Sequence, residues 1–94
     1  MALKGTTLNP RLGNPPHRVC ETPSGMINAI GLQNPGADAV VKILPTLDFA
    51  ETRFLANVSG STIEEYVEVV RRFDDSPIDG MEINISCPNV KEGG

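Results

Sequence analysis

Two regimes of apolar and polar positions divide this chain. Before position 34 the apolar residues keep no sustained period. Asn9-Pro10, Gly13-Asn14-Pro15-Pro16 and Thr22-Pro23-Ser24-Gly25 fix or free backbone angles at short intervals there. The expectation is one short leading strand over residues 3–8, then an excursion of loop or hairpin. From Asn34 onward the pattern becomes regular. Asn34 as a cap and Pro35 at the first helical position, where a missing N–H costs nothing, open a helix. Ala37, Val40, Val41 and Leu44 recur in it at helical spacing until Pro45 stops it. Phe54-Leu55-Ala56-Asn57-Val58, closed by Ser59-Gly60, suits a buried strand. Ser61 and Glu64 have the spacing of a capping box, and Ile63, Tyr66, Val67, Val70 and Phe73 lay an apolar stripe along a second helix. After the turn Asp74-Asp75-Ser76-Pro77, the run Met81-Glu82-Ile83-Asn84-Ile85 alternates strictly, with Met81, Ile83 and Ile85 on one face and Glu82 and Asn84 on the other.

The resulting order is strand, excursion, helix, strand, helix, strand. Connections of this length imply right-handed crossovers between parallel neighbours, the βα repetition of an α/β protein. In a barrel of such units the helices cover the outer face, so Met81, Ile83 and Ile85 would meet helices while Glu82 and Asn84 point inward. Polar groups aimed into a barrel are costly unless partnered. Asn57 and Asn84, both near C-terminal strand ends, therefore stand out at the end where such folds carry chemistry. The competing reading is that each Asn satisfies a neighbouring backbone group.

Composition narrows the function classes. A net charge of -4 with only 8 Lys and Arg offers no basic footprint for nucleic acid or for an anionic membrane. The stretch from Val19 to Asp38, poor in charge apart from Glu21, is interrupted by Pro23, Gly25, Gly31, Pro35 and Gly36, so no transmembrane helix is expected. Met1-Ala2-Leu3-Lys4-Gly5 lacks the regions of a signal peptide, which makes the cytoplasm the expected compartment. Cys20 and Cys87 are then read as reduced thiols rather than a structural disulfide. The Asn57-Val58-Ser59 and Asn84-Ile85-Ser86 acceptor patterns for glycosylation lose their mechanism for the same reason.

Asn both donates and accepts, so a pair of them suits a flat heterocycle whose edge alternates N–H and C=O groups. The stretch 28–34 adds Asn28 and Gly31, where a glycine lets backbone amides approach a ligand closely. Lys4, expected at the end of the first strand on the rim shared by Asn57 and Asn84, could give positive charge to a carboxylate or to an electron-rich cofactor ring. Cys87 follows the last strand in a loop stiffened by Pro88. A positioned thiol can act as nucleophile or general base, although a structural role for an isolated Cys stays open. A metal site is poorly supported, since no second Cys or His lies at ligand spacing and the single His17 sits in a Pro-rich, solvent-facing stretch.

Three stretches in order, Lys4-Gly5-Thr6-Thr7, the run from Glu21 to Gly36, and Asn84-Ile85-Ser86-Cys87-Pro88-Asn89-Val90-Lys91-Glu92-Gly93-Gly94, closely resemble class 1 dihydroorotate dehydrogenase, nearest the NAD-linked 1B catalytic subunit. The resemblance covers essentially the whole chain. It implies a (β/α)8 barrel that binds FMN at the C-terminal strand ends and oxidises dihydroorotate to orotate in pyrimidine (UMP) biosynthesis. By the same resemblance, Cys87 matches the base that takes the C5 proton while the C6 hydride passes to N5 of the flavin. Asn28, Ala29, Ile30, Gly31 and Leu32 match the loop lining the pyrimidine, and Asn89 a substrate-ring contact. Asn84 matches a residue touching both substrate and FMN, and Lys4 a lysine shared between flavin and substrate carboxylate. Gly5 and Asn57 match flavin contacts.

A closed barrel takes about 250 residues, so these 94 are expected to be part of a single FMN-binding barrel domain, about strands 2 to 4 with their helices. The segment alone is expected to be inactive and to bind FMN poorly. The resemblance further implies an iron-sulfur flavoprotein partner carrying FAD and a 2Fe-2S cluster, within a homodimer or heterotetramer. Two other readings remain: a dihydropyrimidine dehydrogenase-type reductase domain, which Asn89 and the following Val-Lys-Glu-Gly-Gly disfavour, and a non-catalytic binding or assembly module derived from the barrel.

Overall fold

A computed structural model of the chain describes residues 1–86. Three strands, β1 (Ala2–Thr6), β4 (Leu55–Val58) and β5 (Gly80–Ile83), form one sheet in the order β1-β4-β5, parallel at both joints. Between β1 and β4 the chain makes an antiparallel hairpin, β2 (Val19–Thr22) and β3 (Gly25–Asn28), and then helix α1 (Ala37–Ile43) with a 3-10 turn at Leu44–Thr46. Helix α2 (Ile63–Asp74) links β4 to its parallel neighbour β5. The mixed α/β order with a parallel sheet is the one the periodicity implies, and it is consistent with part of a (β/α)8 barrel. The excursion resolves into a hairpin turning at Pro23 and Ser24.

The core forms where the sheet meets the helices. Ala37, Leu44, Ala56, Val58, Val69 and Phe73 are all buried to 1% exposure or less. Leu3, Val40, Val41, Tyr66, Val70 and Met81 pack around them. Since β4 alternates, burying Ala56 and Val58 under the helices turns Asn57 to the opposite face. Asp38 of α1 and Arg72 of α2 pair across the helix layer at 2.8 Å.

Several boundaries differ from the sequence expectation for physical reasons. Helix α1 is capped by Gly36, not Asn34. The Asn34 side chain instead turns back on the chain, and its Oδ1 accepts from the Gly36 N–H at 2.9 Å. Helix α2 starts one residue later than the Ser61/Glu64 box implies, because Ser61-Thr62-Ile63-Glu64-Glu65 holds two overlapping boxes. The second is used: Thr62 Oγ1 accepts from Glu65 N–H, and Glu65 Oε2 accepts from Ser61 N–H. The apolar stripe is also rotated. Val69 is fully buried, whereas Ile63 is 79% exposed and Val67 is exposed too. Strand β1 ends at Thr6 rather than residue 8, and β5 at Ile83 rather than residue 85.

Among the described residues, the outer edges of β1 and β5 have no strand partner. An apolar groove lies beside each edge. One, of about 410 Å³, is lined by Ile63, Tyr66, Val67, Ile83 and Ile85. The other, of about 260 Å³, runs between β1 and α1 past Leu3, Lys4, Val40, Ile43, Leu44 and Leu47. Among the described residues no helix is long and apolar enough to cross a membrane.

Candidate active site

The parallel register of β4 and β5 sets Asn57 opposite Glu82, between the pairs Ala56/Met81 and Val58/Ile83. Asn57 and Glu82 therefore share the sheet face turned away from the helices, and Asn57 Nδ2 donates to Glu82 Oε1 at 3.1 Å. On the other side Gly5 of β1 is Asn57's register partner. A Cβ at Gly5 would lie 3.0 Å from Leu32 Cδ2, 3.1 Å from Asn57 Oδ1 and 3.3 Å from Ser59 Oγ. Glycine is thus what lets the loop, the strand and the Ser59 hydroxyl converge at this point. Ser59 Oγ donates to Asn57 Oδ1 at 3.5 Å, so the carboxamide is oriented from both ends.

Lys4 lies inside β1 rather than at its end, in the irregular stretch where three steps on β1 match two on β4 between Ala2/Leu55 and Gly5/Asn57. That corrects the expected rim position. A bulge of this kind re-aims a side chain. Lys4 is exposed and forms no ion pair among the described residues.

The stretch 28–34 is fixed from several sides. Ala29 N–H donates to Arg18 O, Asn14 N–H to Ile30 O, and Asn14 Nδ2 to Ala29 O. Arg11 and Asn34 exchange both backbone hydrogen bonds, at 2.9 and 3.0 Å. Gly31 and Leu32 are both left-handed, at φ 81° and 56°. A Cβ at Gly31 would come within 2.7 Å of the Asn14 carboxamide, so this glycine answers to both angle and space. Leu32 is buried and lies over Gly5, while the exposed Asn28 closes β3 and Ala29 and Ile30 follow it. Asn28 Oδ1 sits 3.5 Å from Ile30 N.

At the other edge of the sheet, Asn84 follows β5 directly, and its N–H donates to Val58 O at 2.8 Å. Its Oδ1 accepts from Ser86 N–H at 3.1 Å, and its carbonyl accepts from Tyr66 Oη at 2.6 Å. The backbone-satisfying role weighed for the Asn residues is thus real at Asn84, while Asn57 bonds side chains instead. Cys87 and Asn89, with the residues after them, lie outside the described residues. Cys20 is a free, exposed thiol on the hairpin, and His17 is exposed.

The structure accordingly brings Gly5, Leu32, Asn57 and Ser59 together on one sheet face, while Asn84 follows β5 and is tied to β4 through its backbone, and Lys4 precedes Gly5 on β1, where it lines the groove beside α1. Sequence reasoning passed over Ser59, Tyr66 and the scaffold residues Arg11, Asn14 and Arg18. It also gave Asn34 the wrong task. Only the Pro35-Gly36 pair after Asn34 hinted at a chain reversal there rather than a helix start.

Parallel βα units with amides, a hydroxyl and a carboxylate on the face away from the helices define a class: a segment of an α/β protein with one polar sheet face opposite its helices. A model of the dihydroorotate dehydrogenase family matches residues 1–94, and the chain belongs to that family. Among curated relatives, the dihydroorotate dehydrogenase B (NAD(+)) catalytic subunit of Anoxybacillus flavithermus is 58% identical over 96 residues, which cover 100% of this chain and 31% of that protein. The subunit of the same name from Geobacillus kaustophilus is 55% identical, over 98% of this chain and 30% of that protein. That of Thermoanaerobacter pseudethanolicus is 50% identical, over 100% and 32%. The chain thus spans about a third of the length of these relatives.

Proposed function

We propose that residues 1–94 form strands 2 to 4, with their helices, of one FMN-binding (β/α)8 domain that oxidises dihydroorotate to orotate in pyrimidine biosynthesis. The observation that carries the reading is the convergence of Gly5, Leu32, Asn57 and Ser59 on the sheet face opposite the helices. In a barrel that face is the interior, and its C-terminal rim holds the chemistry.

The donor set fits a flavin and a pyrimidine lying together. Lys4, an unpaired cation among the described residues, suits a substrate carboxylate or the electron-rich edge of a ring. Asn57, held at both ends by Glu82 and Ser59, presents a fixed amide to the flavin beside the Cβ-free Gly5. Asn84, with Asn28 to Leu32 and Asn89, contacts the substrate ring through amide edges. FMN, when bound, supplies the acceptor for the hydride that leaves C6 of dihydroorotate. Cys87 takes the proton from C5 as the general base. Asn84 also meets the flavin. An iron-sulfur flavoprotein carrying FAD and a 2Fe-2S cluster is the expected partner, in a cytoplasmic assembly.

The test grafts residues 1–94 into the Anoxybacillus flavithermus subunit in place of its matching segment. This completed enzyme is expected to purify with bound FMN and to form orotate from dihydroorotate. Residues 1–94 alone are expected to carry no flavin absorbance. A completed enzyme with full flavin content and no orotate formation would overturn the reading.

A further inference from the structure

Resting on the dihydroorotate reading above, we propose that Asn34 is the positioning residue that fixes the substrate loop, residues 28–32, against the end of β1. It is buried, at 6% exposure, and its carboxamide is bonded at both ends. Oδ1 accepts from Thr7 N–H at 3.2 Å and from Gly36 N–H at 2.9 Å. Nδ2 donates to Leu32 O at 2.7 Å and to Thr7 Oγ1 at 3.0 Å. All four hydrogen-bonding positions of the amide are used, and they reach three places: the residue after β1, the last residue of the substrate loop, and the entrance to α1.

The bond to Leu32 bears on the site. Leu32 holds a left-handed backbone without being glycine, a conformation that persists only where its surroundings dictate it. Holding the Leu32 carbonyl fixes that turn, and the turn lays the Leu32 side chain over Gly5 beside Asn57. Because Thr7 follows β1 directly, the same amide locks the loop to the strand that carries Lys4 and Gly5. Asn34 acts through these residues and does not itself need to touch the substrate. Gly36 at φ 92° leaves its N–H free to meet Oδ1, and a Cβ there would sit 3.0 Å from Pro10 N.

The test compares wild type, Asn34→Ala, Asn34→Asp and Thr7→Val in the completed enzyme. It reads KM for dihydroorotate, kcat, FMN content and hydrogen exchange of residues 29–33. Asn34→Ala is expected to raise KM about tenfold or more, with a smaller change in kcat and unchanged FMN content, since buried partners are left unsatisfied. Asn34→Asp keeps the shape and both accepted bonds but loses the donated ones, so it should still raise KM. Thr7→Val removes one acceptor of Asn34, together with the hydroxyl's own bond to Asn9 O, without altering residues 28–32, and should raise KM about threefold; it keeps the test alive if Asn34→Ala does not fold. Exchange should quicken at residues 29–33 and stay unchanged in α2. A uniform loss of stability with unaltered KM in the folded fraction, in all three variants, would overturn the proposal while leaving the dihydroorotate reading intact. Wild type that binds FMN yet gives no orotate would overturn both.

Discussion

Between Ala37 and Ile83 the chain hides Leu44, Ala56, Val58, Val69 and Phe73 almost completely from water, whereas between residues 9 and 34 it leaves Leu12, Val19, Met26 and Ile27 more than half exposed. The first region is ordered by apolar burial, which is non-directional and tolerates small shifts. The second is ordered by hydrogen bonds across 15 to 27 positions of sequence, from Asn14 to Ala29 and from Asn34 to Thr7. The difference teaches where substitutions should act. Damage to the sheet and helices should appear as lost stability, and damage to the excursion as lost substrate affinity with the fold preserved.

The sharpest contrast is Phe73→Ala in the completed enzyme. Phe73 is 0% exposed at the centre of the core, and truncation should cost about 3–5 kcal/mol. Denaturant unfolding measures it, and a loss below about 1 kcal/mol would mean that the core is not where burial places it. Next comes Gly31→Ala. A left-handed alanine costs about 1–2 kcal/mol, and its Cβ would strike Asn14, so the loop should shift. Steady-state kinetics should then show KM rising more than the melting temperature falls; the reverse ranking would erase the distinction between the two regions.

Tyr66→Phe joins the two kinds of order, because Tyr66 packs against the core while its hydroxyl holds the Asn84 carbonyl at 2.6 Å. Loss of that bond should cost about 1 kcal/mol in thermal unfolding. The smallest effect belongs to Glu68. The hydrogen bond from Arg72, with attraction from Arg71 and Arg72, holds its carboxyl below the ordinary value of 4.5. A depressed carboxylate stabilises the fold above that ordinary value and loses the effect as pH falls through the lowered one. Glu68→Gln should therefore flatten the stability profile slightly on the acid side below pH 4.5, and added salt should partly mimic it because the pair is only half-buried.

The same contrast explains what the sequence made legible. Helix and strand order from residue 37 onward follows from periodicity, and the placement of Glu82 on the sheet face opposite Met81 and Ile83 follows from alternation. Cap register did not, because Ser61/Glu64 and Thr62/Glu65 satisfy the same pattern and packing of Val69 and Phe73 goes with the second. Neither did the Lys4 bulge, which is a matter of cross-strand register, or the work of Asn34, whose partners lie as far away as Thr7. Long-range hydrogen bonds leave no period to read. Within the site, Lys4, Asn28, Gly31, Asn57 and Asn84 stand out from residue chemistry, Gly5, Ala29, Ile30 and Leu32 only from resemblance, and Ser59 and Tyr66 emerge only from geometry.

The central claim is the proposal that Cys87 is the base for dihydroorotate oxidation. Rapid mixing of dihydroorotate with the oxidised completed enzyme, wild type and Cys87→Ala, followed at the flavin absorbance, tests it most directly. The account predicts equal flavin content and bleaching slowed by roughly 10²- to 10⁴-fold in Cys87→Ala, the usual reach of general base catalysis. Bleaching at the wild-type rate would contradict it.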